Sequence, residues 1–328
     1  MTNVLVTLLV GIAAVWGAFA LWYQASRERT VRLLCLLAWS AFSSGCLAGV
    51  WLGFFEAASL AFTAMFVGVL IWWRSLSASN QRRWADDVAQ MTQGTVDGDR
   101  VTLTNVRDFI WRTESDYTQR WETRHYDLSQ LHSLDMIISY WAGPAIAHML
   151  ISFGFDGGDH VVFSTEIRRE KDEVFSEVGG FFKEFELVII AADERDIVRL
   201  RTNVRREQTY LYRLRINPPA IRSLFLAYLE EANDLARRPR FYHTISGNCT
   251  TIVYRMLKRI LGRLPFSYRV LLSGYIPEYV HKVGGLDPRF PLAELRAMGY
   301  ISERARNADQ SATFSADIRQ GVPSLPTY

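Results

Sequence analysis

The sequence predicts an α+β protein in two parts: apolar helices that cross a membrane, then a soluble domain in which an antiparallel sheet packs on helices. Three observations lead there. Up to Trp73 the only charged residues are Arg27, Glu28, Arg29, Arg32 and Glu56, whereas the remainder is charge-rich. Next, Ile146 to Phe153 and His160 to Arg168 are strand-like runs around Asp156-Gly157-Gly158-Asp159, a strong hairpin signal. Finally, Val253, Met256, Leu257, Ile260 and Leu261 recur at helical spacing behind the turn Ser246-Gly247-Asn248, which offers N-cap residues.

Taken in order, Val4 to Tyr23 is uncharged and about 20 residues long, which at about 1.5 Å per residue matches a hydrocarbon core of about 30 Å. It is too long and too poor in N-terminal positive charge for a cleavable signal peptide. Leu33 to Phe55 is a second span and Ala57 to Trp73 a shorter third, with Trp22, Tyr23, Trp51, Trp72 and Trp73 as interfacial aromatics. Residues 1–75 therefore read as a three-helix anchor, 76–100 as a linker, 101–305 as the soluble domain and 306–328 as a polar, loosely ordered tail. Arg27, Arg29 and Arg32, and after two further crossings Arg74, Arg82 and Arg83, favour a cytoplasmic domain by the positive-inside rule.

Within the soluble part, Val101 to Val106 reads as a strand, Asp108 to Trp121 as irregular, and Tyr126 to Trp141 as partly helical. After the hairpin, strands are expected at Phe185 to Ala191, Ile197 to Arg201 and Thr209 to Ile216. Pro218-Pro219 opens a helix through Leu235, and shorter helices follow near Tyr275 to Val283 and Leu292 to Met298. Thr-Asn-Val-Arg occurs at both 104–107 and 202–205, but the flanks do not extend it into a repeat.

Composition excludes several functions. Lys and Arg number 37 against 34 Asp and Glu, a net charge of +3, and no basic stripe interleaves with aromatics, so nucleic acid is not a partner. Cys35 and Cys46 lie in the apolar region and Cys249 in the soluble one, which leaves neither a disulfide framework nor a zinc quartet. His125 and His132 sit two helical turns apart with no carboxylate spacing that suits a metal. No metal and no cofactor is assigned.

Cys249 falls in the first turn of its helix. A thiol there feels the positive end of the helix dipole and the unpaired N–H groups, which lower its pKa and can stabilise an oxyanion. The plainer reading is a small buried apolar residue. In the hairpin, alternation puts Met149, Ile151, Phe153, Val161, Phe163 and Ile167 on an apolar face, and His148, Ser152, Ser164, Glu166 and Arg168 on the other. Glu166 then lies opposite or diagonal to His148, while His160 sits at the turn end, roughly 20 Å away at about 3.3 Å per residue. Glu166 is the better partner for His148 and His160 the poorer. In a thiol mechanism His148 takes the proton, Glu166 orients the imidazole and stabilises imidazolium, and the Cys249 thiolate attacks a carbonyl. Candidate substrate-binding residues are Arg168, whose guanidinium matches a phosphate bidentately, Asn248 beside the thiol, and Ser164. Their plainer readings are a carboxylate pair on a solvated strand face, an N-cap, and sheet-face filler.

A histidine on a strand, a carboxylate on the next and a cysteine at a helix start about 100 residues later reverse the papain order. This is similar to the circularly permuted papain-like (NlpC/P60-type) superfamily. The runs Asn105-Val106-Arg107-Asp108-Phe109, Ala147-His148 with Ser152-Phe153-Gly154-Phe155, Ser164-Thr165-Glu166-Ile167-Arg168, Gly179-Gly180-Phe181-Phe182, Asp193-Glu194-Arg195-Asp196 and Asn248-Cys249-Thr250-Thr251 resemble the Lnb-type family. That is a periplasmic domain family associated with bacterial lipoprotein N-acyltransferase activity. The resemblance spans roughly Trp84 to Pro323. It implies that Cys249 accepts the acyl group, His148 is the base and Glu166 the acidic strand position; His243 departs from the small polar residue, such as Asn, expected there. It also implies ping-pong transfer of a fatty acyl chain from a phospholipid or lipid ester to the α-amine of a lipoprotein N-terminal cysteine. Such a reaction faces the periplasm from the bacterial inner membrane, against the arginine pattern. Two other classes stay open: a related thiol hydrolase acting on peptidoglycan or lipid, and a membrane-anchored binding domain with an inert Cys249.

Overall fold

Long apolar segments in lipid satisfy their backbone groups as helices. The computed structural model describes residues 2–324 and forms α1 (Thr2–Gln24), α2 (Arg29–Trp51) and α3 (Phe55–Ser75), each long and apolar enough to cross a membrane. Gly53, at φ 92°, turns the chain, so α2 stops at Trp51 rather than running to Phe55. Val10, Trp39, Cys46 and Phe62 form the centre of the bundle. A Cβ on Gly17 would meet the Trp39 ring at 2.5 Å, so glycine is what admits the indole, whose Nε1 donates to Ala14 O at 2.8 Å.

The chain divides into two compact units, and the helices form the first together with Phe175–Glu186 and Arg240–Thr244. The Gly179-Gly180-Phe181-Phe182 run is part of this unit. Phe182 packs against Trp16, Phe19, Tyr23 and Trp73, and Gln24 Nε2 donates to the carbonyls of Phe182 and Lys183 at 3.2 and 2.6 Å.

The second unit is an α+β domain. Its strands are β1 (Gln93–Asp97), β2 (Arg100–Arg107), β3 (Ile110–Trp111), β4 (Tyr117–Thr118), β5 (Trp121–Asp127), β6 (Leu131–Ala142), β7 (Ile146–Phe155), β8 (His160–Arg168), β9 (Glu186–Ala192) and β10 (Gln208–Arg213). The main sheet runs β1-β2-β9-β8-β7-β6-β10, with β5 also beside β2, and β3 and β4 form a separate hairpin. Because β2 pairs β9 in parallel, the sheet is mixed rather than the antiparallel one expected. Its helices are α4 (Glu194–Arg199), which continues into a π turn (Leu200–Val204), α5 (Pro218–Arg237), α6 (Cys249–Leu261), α7 (Ile276–Lys282), α8 (Leu292–Gly299), α9 (Ser302–Asn307) and α10 (Phe314–Asp317).

On one face of the sheet lies α5. Asn217 caps it, Oδ1 accepting from Ala220 N at 2.8 Å, and prolines open its first turn. Its Phe225 meets Phe153 and Phe163 edge-on at centroid distances of 5.1 and 5.4 Å, and its Tyr228 stacks on Phe163 at 5.0 Å. Each fully buried ring of this kind contributes roughly 1.5–3 kcal/mol.

Three stretches differ from expectation. Residues 131–142 form one long strand, not a partial helix, because Ser133 to Tyr140 is buried throughout and so carries no period-two alternation. The run from Ile197 to Arg201 is helical, since the Asp193 side chain accepts from Arg195 N at 2.8 Å and starts α4. Phe109, Trp111, Tyr117 and Trp121 form an aromatic cluster that organises the stretch read as irregular. Beyond these, residues 76–100 hold the buried Trp84 and Val88 and the edge strand β1. The 306–324 part of the expected loose tail packs through Phe314 and Ile318, both fully buried; residues 325–328 lie outside the described residues.

Candidate functional site

The β7–β8 ladder runs from Gly154↔His160 to Leu150↔Ser164 and stops there, although β7 starts at Ile146 and β8 ends at Arg168. Two residues further at the same offset, His148 comes across from Glu166. His148 Nε2 lies 3.1 Å from Glu166 Oε1 and 2.8 Å from Ser164 Oγ, and that hydroxyl donates to the same carboxylate oxygen at 2.6 Å. Since the Ser164 hydrogen goes to Glu166, its oxygen accepts from Nε2–H. The arrangement keeps a proton on Nε2 and leaves Nδ1 for exchange with another group.

That group comes from α6. Asn248 takes extended backbone angles and caps the helix, Oδ1 accepting from the N–H groups of Thr250 and Thr251 at 3.2 and 2.8 Å, with Thr251 Oγ1 accepting in return from Asn248 N at 3.1 Å. Cys249 is thereby fixed as the first helical residue, at the positive end of a 13-residue helix. Its thiol is hydrogen-bonded to His148 and supported by the backbone N–H of Met149, next to His148 on β7.

The electrostatics follow from these contacts. For His148, burial works against the imidazolium, but the Glu166 carboxylate and the hydrogen bonds to Cys249 and Glu166 outweigh it and raise the pKa to about 9. For Cys249, burial pushes the thiol up, while the hydrogen bond and charge of His148 and the Met149 N–H bring it below the ordinary 9.0. Burial would also raise Glu166, yet His148, Arg201 and Ser164 hold its carboxyl well below the usual range. The three groups thus shift one another toward their charged forms, the thiol and the carboxyl downward and the imidazole upward. The His148 and Glu166 side chains are 15% and 19% exposed, while Cys249 is buried.

A second layer fixes Glu166. Arg201 Nη2 lies 3.2 Å from Glu166 Oε1, and Nη1 lies 3.6 Å from Glu207 Oε2. Glu207 accepts from Ser139 Oγ at 2.5 Å, and Ser139 pairs with His148 across β6 and β7. Arg201 reaches this position from the π turn, a local widening of the helix frequently found at functional sites.

Cys249, His148, Glu166, Ser164 and Asn248 thus come together, with Asn248 acting as the cap. Arg168 does not join them. It is 3% exposed, its Nε, Nη1 and Nη2 donate to Val88 O, Asn80 Oδ1 and Ala89 O at 3.0, 3.0 and 2.8 Å, and it lies over the Trp84 ring. It secures the 80–89 segment against β8 and does not sit on a solvated face. His160 stays at the turn, Nδ1 against Gly158 O at 2.8 Å. The ring of His243 packs edge-on to Phe181 within the first unit. Sequence reading missed Arg201, which lay in a run taken for a strand. Asp193 as an N-cap followed by Glu194 and Asp196 was the signal that could have found its helix.

Residues 117–274 match the family model of the Lnb N-terminal periplasmic domain. The chain carries a domain of the Lnb family. The match is shorter than the stretch from Trp84 to Pro323 suggested by the motifs, but it contains His148, Glu166, Arg201 and Cys249. No curated protein and no solved structure matches the chain. With three membrane-length helices ahead of the Lnb domain, this is a membrane protein with a periplasmic domain.

Proposed function

We propose that this protein is a cysteine-dependent acyltransferase of the lipoprotein N-acyltransferase type, with an Lnb domain of permuted papain-like (NlpC/P60-type) architecture. It sits in the bacterial inner membrane through three spans and works on the periplasmic side. The observation that carries this reading is the relay from Cys249 through His148 to Glu166, mounted at the N-terminal end of α6. The Lnb family match and the membrane-length helices supply the lipoprotein and lipid context.

The chemistry has two halves. In the first, the Cys249 thiolate attacks the ester carbonyl of a phospholipid or related lipid ester and a C–S bond forms. The tetrahedral oxyanion develops near the positive end of α6. The C–O bond then breaks, and the departing alkoxide takes the proton from His148, which leaves a lyso-lipid and an acyl thioester. In the second half, the α-amine of a lipoprotein N-terminal cysteine attacks the thioester. His148 takes the amine proton, the C–S bond breaks, the amide is released and the thiolate returns. Glu166, held by Arg201 and Ser164, keeps the imidazole oriented and stabilises its charge in both halves.

The test is transfer. Protein in phospholipid-containing detergent, given a diacylglyceryl-cysteine peptide, should convert it to the N-acylated form, and the His148→Ala variant should not. Release of free fatty acid or cleavage of peptidoglycan, with the peptide amine left untouched, would replace this reading with a hydrolase.

A further inference from the structure

Cys249 opens a stripe on α6 that continues at four-residue steps through Val253, Leu257 and Leu261. The last three line a cavity of about 250 Å³ closed on its other sides by residues such as Met149 and Ile151 of the sheet and Val280 and Val283 at α7. Met149 joins the two places, because its side chain lines the cavity while its backbone N–H supports the Cys249 sulfur. Leu261, at the far end of the stripe, is 41% exposed. From Cys249 to Leu261 the helix rises about 18 Å, twelve steps of about 1.5 Å.

The hydroxyls on the wall are already engaged, and the cation on it, Arg215, is exposed. Thr250 Oγ1 donates to Val270 O at 2.7 Å, Tyr254 OH to Leu264 O at 3.0 Å and Tyr279 OH to Pro265 O at 2.8 Å. Asn217 caps α5. A polar ligand would lose its hydration here with little in return, whereas a hydrocarbon chain gains roughly 0.8 kcal/mol for each methylene buried.

We infer that this cavity holds the acyl chain of the Cys249 thioester, with the carbonyl at the sulfur and the chain running along Val253 and Leu257 to the open end at Leu261; the inference rests on the acyl-transfer reading. Length and width agree. One leaflet of a hydrocarbon core is about 15 Å deep, so a chain that spans it extends over most of the stripe. The volume lies just below the range of about 300–1,000 Å³ for sites of drug-sized ligands, so it encloses part of a single long chain and leaves the remainder at the open end. The open end also matches a lipid source. Between Cys249 and Glu278 the chain carries Arg255, Lys258, Arg259, Arg263 and Arg269 and no acidic residue, and Phe266 and Tyr268 are 66% and 57% exposed. Basic residues among exposed apolar ones are what contact with phospholipid requires.

The experiment compares acylation of Cys249 by 4-carbon and 16-carbon nitrophenyl esters, read by intact mass on full-length protein in detergent. Leu257→Trp fills the middle of the cavity and should lower the 16-carbon to 4-carbon ratio at least tenfold. Adducts formed with an unchanged ratio would overturn the cavity assignment alone. Absence of any adduct in the wild type would instead overturn the acyl-transfer reading on which it rests. A second measurement needs no variant: a 16-carbon fatty acid with a terminal photoactivatable diazirine should label wild-type peptides from 253–261 or 276–283. Labelling confined to other segments would overturn the assignment whether or not a thioester forms.

Discussion

The two faces of the β7–β8 hairpin are both covered, the apolar face completely at Phe153 and Phe163 and the polar face up to the partly exposed His148 and Glu166, but they are stabilised by different physics. One face carries Phe153 and Phe163 into the rings of α5, a contact that is apolar and indifferent to pH. The other carries His148, Ser152, Ser164 and Glu166, and here nearly every contact is a hydrogen bond or an ion pair. Ser152 donates to Glu194 at 2.6 Å, and Arg319 from the end of the chain lies 2.6 Å from Glu194 and 2.9 Å from Asp135. Charges so buried are tolerable only when fully paired, so the polar face constrains its side chains more tightly than the apolar face does. A relay that needs a fixed imidazole is placed where that constraint is strongest.

If this contrast is correct, variants on the polar face should cost most. His148→Ala should slow thioester formation by about 10²–10⁴-fold, the usual contribution of a positioned proton carrier, as read by stopped-flow acylation. Arg319→Met would leave the buried Glu194 without its ion-pair partner and Asp135 with Arg213 alone, at a cost of about 3–5 kcal/mol in chemical denaturation. The pH dependence sharpens that result. Burial opposes the Glu194 carboxylate, but Arg319 brings its folded pKa down to about 2, so its contribution is present above the unfolded value near 4.5 and is lost as pH falls towards 2. Arg319→Met should therefore unfold in acid at a higher pH than the wild type.

Arg201→Met is a subtler probe. The Arg201 charge lowers the His148 pKa, so its removal should carry the alkaline fall in acylation, centred near pH 9 in the wild type, to higher pH. A purely structural role would change Tm and leave that profile in place. Smallest of all, Asn248→Ala removes the α6 cap and should cost about 1 kcal/mol by thermal unfolding.

The apolar face was legible in the sequence and the polar face only in part. Alternation in Ile146 to Arg168 gave the hairpin, the placement of His148 against Glu166 and the side on which Phe153 and Phe163 pack, because local period-two patterning and a Gly-Gly turn are encoded within a few residues. The Cys249 helix was legible for the same reason. What alternation does not reveal is that the polar side is covered. Glu194, Arg201 and Arg319 arrive from segments well beyond the hairpin in the chain, and their partners are set by long-range packing. Polar residues in a strand look solvated until those segments are in place, which is why Arg168 suggested a headgroup contact when it is enclosed by Trp84, Val88 and Ala89. Strand β6 shows the converse, since burial on both faces erased the alternation by which strands are read.

The central claim is that Cys249 is the covalent carrier of the acyl group. Intact-mass spectrometry of the full-length protein incubated with phospholipid tests it most directly, with Cys249→Ser alongside. The account predicts a mass increase of one fatty acyl chain on the wild type, removed by hydroxylamine at neutral pH as a thioester is, and none on the variant. An unmodified wild type whose Cys249 also resists alkylation at pH 7 would contradict it and return the thiol to the packing between α6 and the sheet.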